Sequence, residues 1–281
     1  MVPDHPSCHE DTNMPERTTP WSGHDLLKDQ LRTAVWTRLS TEGASVGEPV
    51  GHIPRFVGSE QAAAQLALLP AWQQASIIKC NPDQAQAPVR LRALQEGKLL
   101  YMAVPRLTET RCFVALTAAT LHAQGVALET AATSRGAMQH GRLVGLDEMQ
   151  PIDLVMVGCV AVARDGGRTG KGAGFADLEL GMLRQSGLIH AETPIVTTVH
   201  ALQIVPDAAL PMREHDWRLT WIITPEAIIA TGSTHAQPTG VLWEHVRAEQ
   251  LATIPVLQAL CPPDRREQSV YHPIASARRR R

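Results

Sequence analysis

The chain has 281 residues, 44% of them hydrophobic and 19% charged, which is ordinary for a globular protein with a substantial core. A formal net charge of −2 and an aromatic content of only 4% give neither a basic field nor a stacking surface, so no nucleic-acid partner is expected. The longest strongly apolar run, LVMVGCVAVA (154–163), is ten residues, well short of the ~20 that span a bilayer, so no membrane partner is expected either. Five cysteines (8, 80, 112, 159 and 261) form no CxxC pair. That usage, and a polar N-terminus without the apolar stretch of a signal peptide, suggest reduced thiols and a cytoplasmic location.

Residues 1–22 read as a disordered leader, in which HPSCH (5–9) is discounted as a metal site. From 24 to 40 the apolar positions Leu27, Leu31, Val35 and Leu39 recur every four residues and predict an amphipathic helix. SEQAAAQLALL (59–69) predicts a second helix, with Ser59 as N-cap and Pro70 as its stop. ASIIKC (75–80), a loop, VRLRALQEG (89–97) and KLLYMAVP (98–105) follow as strand, loop, helix and strand, a βαβ unit. Between 106 and 150 only CFVAL (112–116) reads as a strand, among scattered glycine turns.

DLVMVGCVAVA (153–163) predicts one strand buried on both faces of a parallel sheet. A glycine-rich loop leads to a helix over 175–186 with Gly187 as its cap, and PIVTTVH, LTWIITP and EAIIATG are further strands. The expected organisation is one mostly parallel α/β domain over 23–231, then a partly disordered extension over 232–281 whose terminal ARRRR is a solvated tail.

The loop is DGGRTGKGAGFAD (165–177). Its glycines at 166, 167, 170, 172 and 174 are interleaved with Arg168 and Lys171. A strand, a glycine turn and a helix present backbone N–H groups and a helix N-terminus to an anion. The spacing matches neither common phosphate pattern: Lys171 is followed by Gly172 rather than Ser or Thr, and Gly170, Gly172 and Gly174 space as GxGxG. Taken alone, the loop is also compatible with a tight strand–helix turn. Two cations inside it suit phosphate oxygens, however. Asp177 is placed either to hold Mg²⁺ beside phosphates or to complement the helix dipole. His200, at the end of a strand, reads as a structural histidine.

The stretch resembles the G-x-R-x-G-x-G-x-G-Y-Y-D signature of the 5-formyltetrahydrofolate cyclo-ligase family. Three further features agree. Lys28 and Arg32 resemble the family's K-x-x-x-R pair on the first helix. QIVPDAALPMREHD resembles its Q…P…D pattern through Gln203, Pro211 and Asp216. NPDQAQAPVR places Asp83 where the family has an acidic substrate-loop residue. The likeness covers about 26–230 and is nearest to the methenyltetrahydrofolate synthetase domain-containing branch.

The resemblance implies a three-layer α/β fold of the NagB/RpiA/CoA transferase-like type. It implies conversion of 5-formyltetrahydrofolate to 5,10-methenyltetrahydrofolate with ATP and Mg²⁺. The ATP site would comprise Lys28, Arg32, Arg168, Thr169, Gly170, Lys171, Gly172, Ala173, Gly174, Phe175 and Ala176, with Lys28, Arg32, Arg168 and Lys171 offsetting phosphate charge during catalysis. Asp83, Lys171, Gly172, Gly174 and Phe175 would contact the reduced folate, and Asp177 and Asp216 would hold Mg²⁺. The signature's Tyr-Tyr is Phe175-Ala176 here, which leaves open a same-fold protein acting on a different formyl or carboxyl substrate, or a regulatory binding role.

Overall fold

The computed structural model describes residues 25–265; the leader, Cys8 and the terminal arginines lie outside the described residues. Helix α1 (Leu26–Thr41) is N-capped by Asp25, whose side chain accepts the Lys28 N–H. Its buried stripe contains Val35, Trp36 and Leu39 but also Lys28 and Arg32. Helix α2 (Ser59–Leu66) is capped by Gly58 rather than Ser59. Gly58 adopts φ 88°, and a Cβ there would lie 2.7 Å from Pro225, so the cap position requires glycine. Pro70 opens α3 (Pro70–Gln74) instead of only ending α2, because the first helical position needs no N–H.

Strand β1 (Ile77–Cys80), α4 (Ala87–Gln95) and β2 (Leu99–Ala103) form the expected βαβ unit. The region 106–150 then supplies β3 (Phe113–Leu116), three short helices α5 (Ala118–Ala123), α6 (Leu128–Ala132) and α7 (Ser134–His140), and β4 (Arg142–Val144). Next come β5 (Leu154–Met156), β6 (Ala161–Ala163), β7 (Arg168–Thr169), α8 (Phe175–Gln185), β8 (Ile195–Thr198) and β9 (Ile204–Val205). The chain continues through β10 (Trp221–Ile223), β11 (Ile228–Ala230), α9 (Ala248–Thr253) and α10 (Pro255–Leu260).

The main sheet has the order β11-β10-β8-β5-β1-β2-β3-β4. Its centre, β10-β8-β5-β1-β2, is parallel, while β11 on one edge and β3 and β4 on the other are antiparallel. Alternation along β5 sends Leu154 and Met156 to one face, with Leu66 of α2 and Leu94 of α4. Val155 and Val157 point to the other, with Leu180 and Leu183 of α8. Helices on both faces make this a three-layer α/β fold, as expected.

The run 153–163 is not one strand. After β5 the chain leaves the main sheet at Val157 and Gly158 and enters a second sheet of order β7-β6-β9. A Cβ on Gly158 would lie 3.0 Å from Gln86 Oε1 and 3.1 Å from Ile53, so the crossing is tight. Uniform apolarity hides the break because both halves are fully buried.

Gly166 and Gly167 also differ from expectation. They turn the β6–β7 hairpin, with Gly166 at φ 93°. Arg168 and Thr169 therefore stand on a strand, and the loop proper is 170–174. The expected extension packs into the same core as far as Leu260: Val241, Ile254, Val256 and Leu257 join the cluster containing Val155 and Ile195. Among the described residues no helix is long and apolar enough to cross a membrane.

Candidate functional site

A cavity of about 1300 Å³ opens at the carboxyl ends of the central strands. Asn81 and Asp83 follow β1, Val104 and Pro105 follow β2, Gly158 follows β5, and all of them line it. The start of α1, the loop 170–174, the first turn of α8, residues 212–217 and residues 240–250 complete its walls. Every residue assigned to the site from sequence lies on this one cavity, although the assignments span positions 28 to 216.

The cations are paired with carboxylates. Lys28 Nζ meets Asp216 Oδ2 at 2.5 Å, and the Arg213 N–H donates to the same oxygen at 2.6 Å. Arg32 donates to Thr169 Oγ1 and to Asp29 Oδ1, both at 2.6 Å. Arg168 contacts Asp177 Oδ1 at 2.5 Å, and the Trp217 N–H reaches that oxygen at 3.0 Å. Lys171 contacts Asp83 Oδ1 at 2.8 Å in a more exposed pair.

Because Asp216 and Trp217 are consecutive, these bonds bring the carboxylates of Asp177 and Asp216 to the same wall. Burial pulls the Arg168 pKa down, but Asp177, Cys159 and Asp216 outweigh it and hold the pKa above its ordinary value. The guanidinium stays charged, and its Nε is buried without a hydrogen-bond partner among the described residues. An orphaned cationic donor on the wall suits an anionic oxygen.

No cluster of three or more His, Cys, Asp or Glu side chains arranged for a metal occurs among the described residues. Each of Asp177 and Asp216 uses one oxygen for its cation. Asp177 Oδ2 has no hydrogen bond among the described residues, and Asp216 Oδ1 faces His215 Nε2 at 3.8 Å. Two carboxylates with an oxygen to spare fit a hard cation that completes its shell with water and phosphate oxygens.

Cys80, Cys112 and Cys159 offer no nucleophile. Burial pushes Cys159 up to about 11 and Cys112 up to about 12, and raises Cys80 as well. His200 does not line the cavity. Its Nδ1 accepts the Leu202 N–H, and its ring packs edge-on to Phe56.

Several lining groups were not evident from the sequence. Asp25 caps α1 and also accepts from Arg213. Glu179 sits two residues beyond Asp177 on α8 and pairs with fully buried Lys79, which also donates to Asn81 Oδ1 at 3.3 Å. Gly240, Val241, His245, Arg247 and Gln250 come from the segment expected to be an extension. Gln250 Oε1 accepts the Arg247 N–H, but the N-cap position holds an arginine, which offers no side-chain acceptor, so the sequence carries no capping signal for this helix.

Fold and cavity define a three-layer α/β protein with a charge-lined cleft at a sheet's carboxyl edge, the usual place for a small-molecule ligand in such folds. Residues 26–225 match the family model of the 5-formyltetrahydrofolate cyclo-ligase family, and the chain belongs to that family.

Among relatives, the mouse (Mus musculus) methenyltetrahydrofolate synthase domain-containing protein is 39% identical over 237 residues, covering 84% of this chain and 63% of that protein. The human (Homo sapiens) protein of the same name is 36% identical over 237 residues, covering 84% and 61%. The chain thus spans less than two thirds of the length of these relatives. The NMR structure of Aquifex aeolicus 5,10-methenyltetrahydrofolate synthetase aligns with a TM-score of 0.48 at 17% identity, covering 79% of this chain and 100% of that one.

Proposed function

We propose that the chain is an ATP- and Mg²⁺-dependent cyclo-ligase that converts 5-formyltetrahydrofolate to 5,10-methenyltetrahydrofolate, releasing ADP and phosphate. Family membership supports the reaction class. The observation that carries the reading is the set of paired charges on one cavity wall: Lys28 with Asp216, Arg168 with Asp177, and Lys171 with Asp83. A magnesium nucleotide carries both the anion that the cations need and the cation that the carboxylates need. The wall can therefore exchange internal partners for ligand partners without burying an uncompensated charge.

In the proposed reaction the formyl oxygen takes the γ-phosphoryl group of ATP. N10 then attacks the activated carbon, and the C–O bond breaks to release phosphate. Phosphoryl transfer asks the protein mainly for positioning and charge neutralisation. The loop 170–174 and the N-terminus of α8 offer backbone N–H groups to phosphate oxygens, and Arg168 and Lys171 flank them. Lys28 and Arg32 lie along the same face of α1, with Arg32 held in place by Thr169 and Asp29. Asp177 and Asp216 would hold Mg²⁺. When bound, Mg²⁺ would neutralise phosphate charge. Asp83 stands across the loop from Lys171, where it would meet the folate. The buried thiols of Cys80, Cys112 and Cys159, none of them in a disulfide, support a reducing, cytoplasmic setting.

Phe175 and Ala176, where the family signature has two tyrosines, favour a second reading: the same ATP chemistry on a different formyl or carboxyl substrate, or a regulatory binding role. The test is a product assay with purified protein, Mg-ATP and 5-formyltetrahydrofolate, following methenyl absorbance. ATP-dependent product is expected. Mg-ATP binding without product would move the assignment to the second reading.

A further inference from the structure

Beyond the stretch that matches the family model, the chain returns to the cavity. Residues 240–241 rest directly on α8: a Cβ on Gly181 would lie 3.0 Å from the Gly240 carbonyl oxygen and 3.2 Å from Val241 Cα. This contact carries the start of α9 to the loop–helix junction, where Gln250 lines the cavity. Gln250 is only 5% exposed. Its Oε1 accepts the Arg247 N–H at 3.0 Å and thereby caps α9. Its Nε2 lies 3.7 Å from where a Cβ of Gly174 would stand, and it donates to nothing among the described residues.

Within the described loop and first helical residues, 170–176, no side chain is a neutral hydrogen-bond donor. Gly174 takes φ 74° as the N-cap of α8 and caps with no side chain, while Phe175 and Ala176, which follow it, have no polar side-chain atoms. Thr169 is engaged by Arg32, and Lys171 by Asp83. This amide N–H₂, on a side chain that lines the cavity beside the N-terminus of an eleven-residue helix, is placed to donate to an acceptor that arrives there.

We infer that Gln250 is a nucleotide-binding residue, donating through Nε2 to a phosphate oxygen held at the N-terminus of α8. The inference rests on the cyclo-ligase reading for the identity of the nucleotide. It makes the C-terminal segment part of the ATP site rather than an appendage.

Two substitutions in the full chain separate this role from capping. Gln250→Glu keeps an acceptor for the Arg247 N–H but replaces the donor with a negative charge. Gln250→Met keeps the volume and removes the donor. Mg-ATP affinity is read by calorimetry, KM for ATP and for 5-formyltetrahydrofolate by the product assay, and folding by thermal melting. A hydrogen bond to a charged oxygen corresponds to about a 10- to 100-fold change in affinity. Gln250→Met should weaken Mg-ATP binding by roughly tenfold and Gln250→Glu by more, with KM for the folate unchanged. Wild-type affinity in both variants overturns the inference alone. So does a loss that falls equally on ATP and folate in step with a lowered melting temperature. If the wild-type chain does not bind Mg-ATP, the inference and the proposed function fall together.

Discussion

The pairs Lys79–Glu179 and Lys28–Asp216 are both buried, but only in the second does the cation line the cavity. Lys79 is fully buried, on the central strand β1, and ties that strand to α8. Lys28 sits on the first turn of α1, and its partner Asp216 is held by the Arg213 N–H as well. In the first pair Glu179 borders the cavity but its lysine does not. The second faces space that a ligand can enter. One ion pair is therefore a structural tie and the other an exchangeable contact, although both cost desolvation in the same way.

Substitutions can break that distinction. The largest expected effect is on stability: Lys79→Met leaves Glu179 buried and uncompensated, and should cost about 3–5 kcal/mol by urea unfolding. Next is Lys28→Met, which should lower kcat/KM for ATP by about 10- to 100-fold while moving the unfolding midpoint much less than Lys79→Met does. Equal stability losses in the two variants would show that both pairs are structural ties.

A smaller effect concerns pH. Burial raises Cys159 to about 11 and Cys112 to about 12, from the ordinary thiol value of 9.0. Both stay protonated in the fold while the unfolded thiols ionise. Their contribution is thus complete below pH 9.0 and is lost as pH rises towards about 12. Urea midpoints at about pH 8 and about pH 10.5 should show this decline, and Cys112→Ala should reduce it. The smallest effect is Lys171→Gln. Its pair with Asp83 is 41% exposed on the lysine side, so stability should change by less than about 1 kcal/mol by the same urea measurement.

The parts of the fold that were legible are those with strong local patterns. The central strands β1, β2, β8 and β10 lie in short apolar runs bounded by loops, and α1 forms where its period places a helix, although Leu27 of that period is exposed while Lys28 and Arg32 are buried. The break at Gly158 was not legible, because a buried strand entering a second sheet stays as apolar as one that continues. Helices α5 to α7 have five to seven residues each, too few for a period to emerge.

The site was legible where chemistry and glycine spacing coincide, in residues 165–177, and where charges share a helix face, at Lys28 and Arg32. Glu179 was not, since an acidic residue on an amphipathic helix normally faces solvent. The wall formed by residues 240–250 was hidden for another reason. Its apolar anchors Val241, Ile254, Val256 and Leu257 are too sparse to show a period, and they find their partners only across the core formed by β5 and β8.

The central claim, that paired charges on the cavity wall exchange partners with a magnesium nucleotide, is tested most directly by the Asp216→Asn variant. Calorimetry would compare its affinity with that of the wild-type chain for ATP without metal and for Mg-ATP. Releasing Lys28 from its carboxylate should tighten binding of metal-free ATP, while loss of a carboxylate for Mg²⁺ should weaken binding of Mg-ATP. Opposite shifts are the expected result; shifts in the same direction, or none, would contradict the exchange.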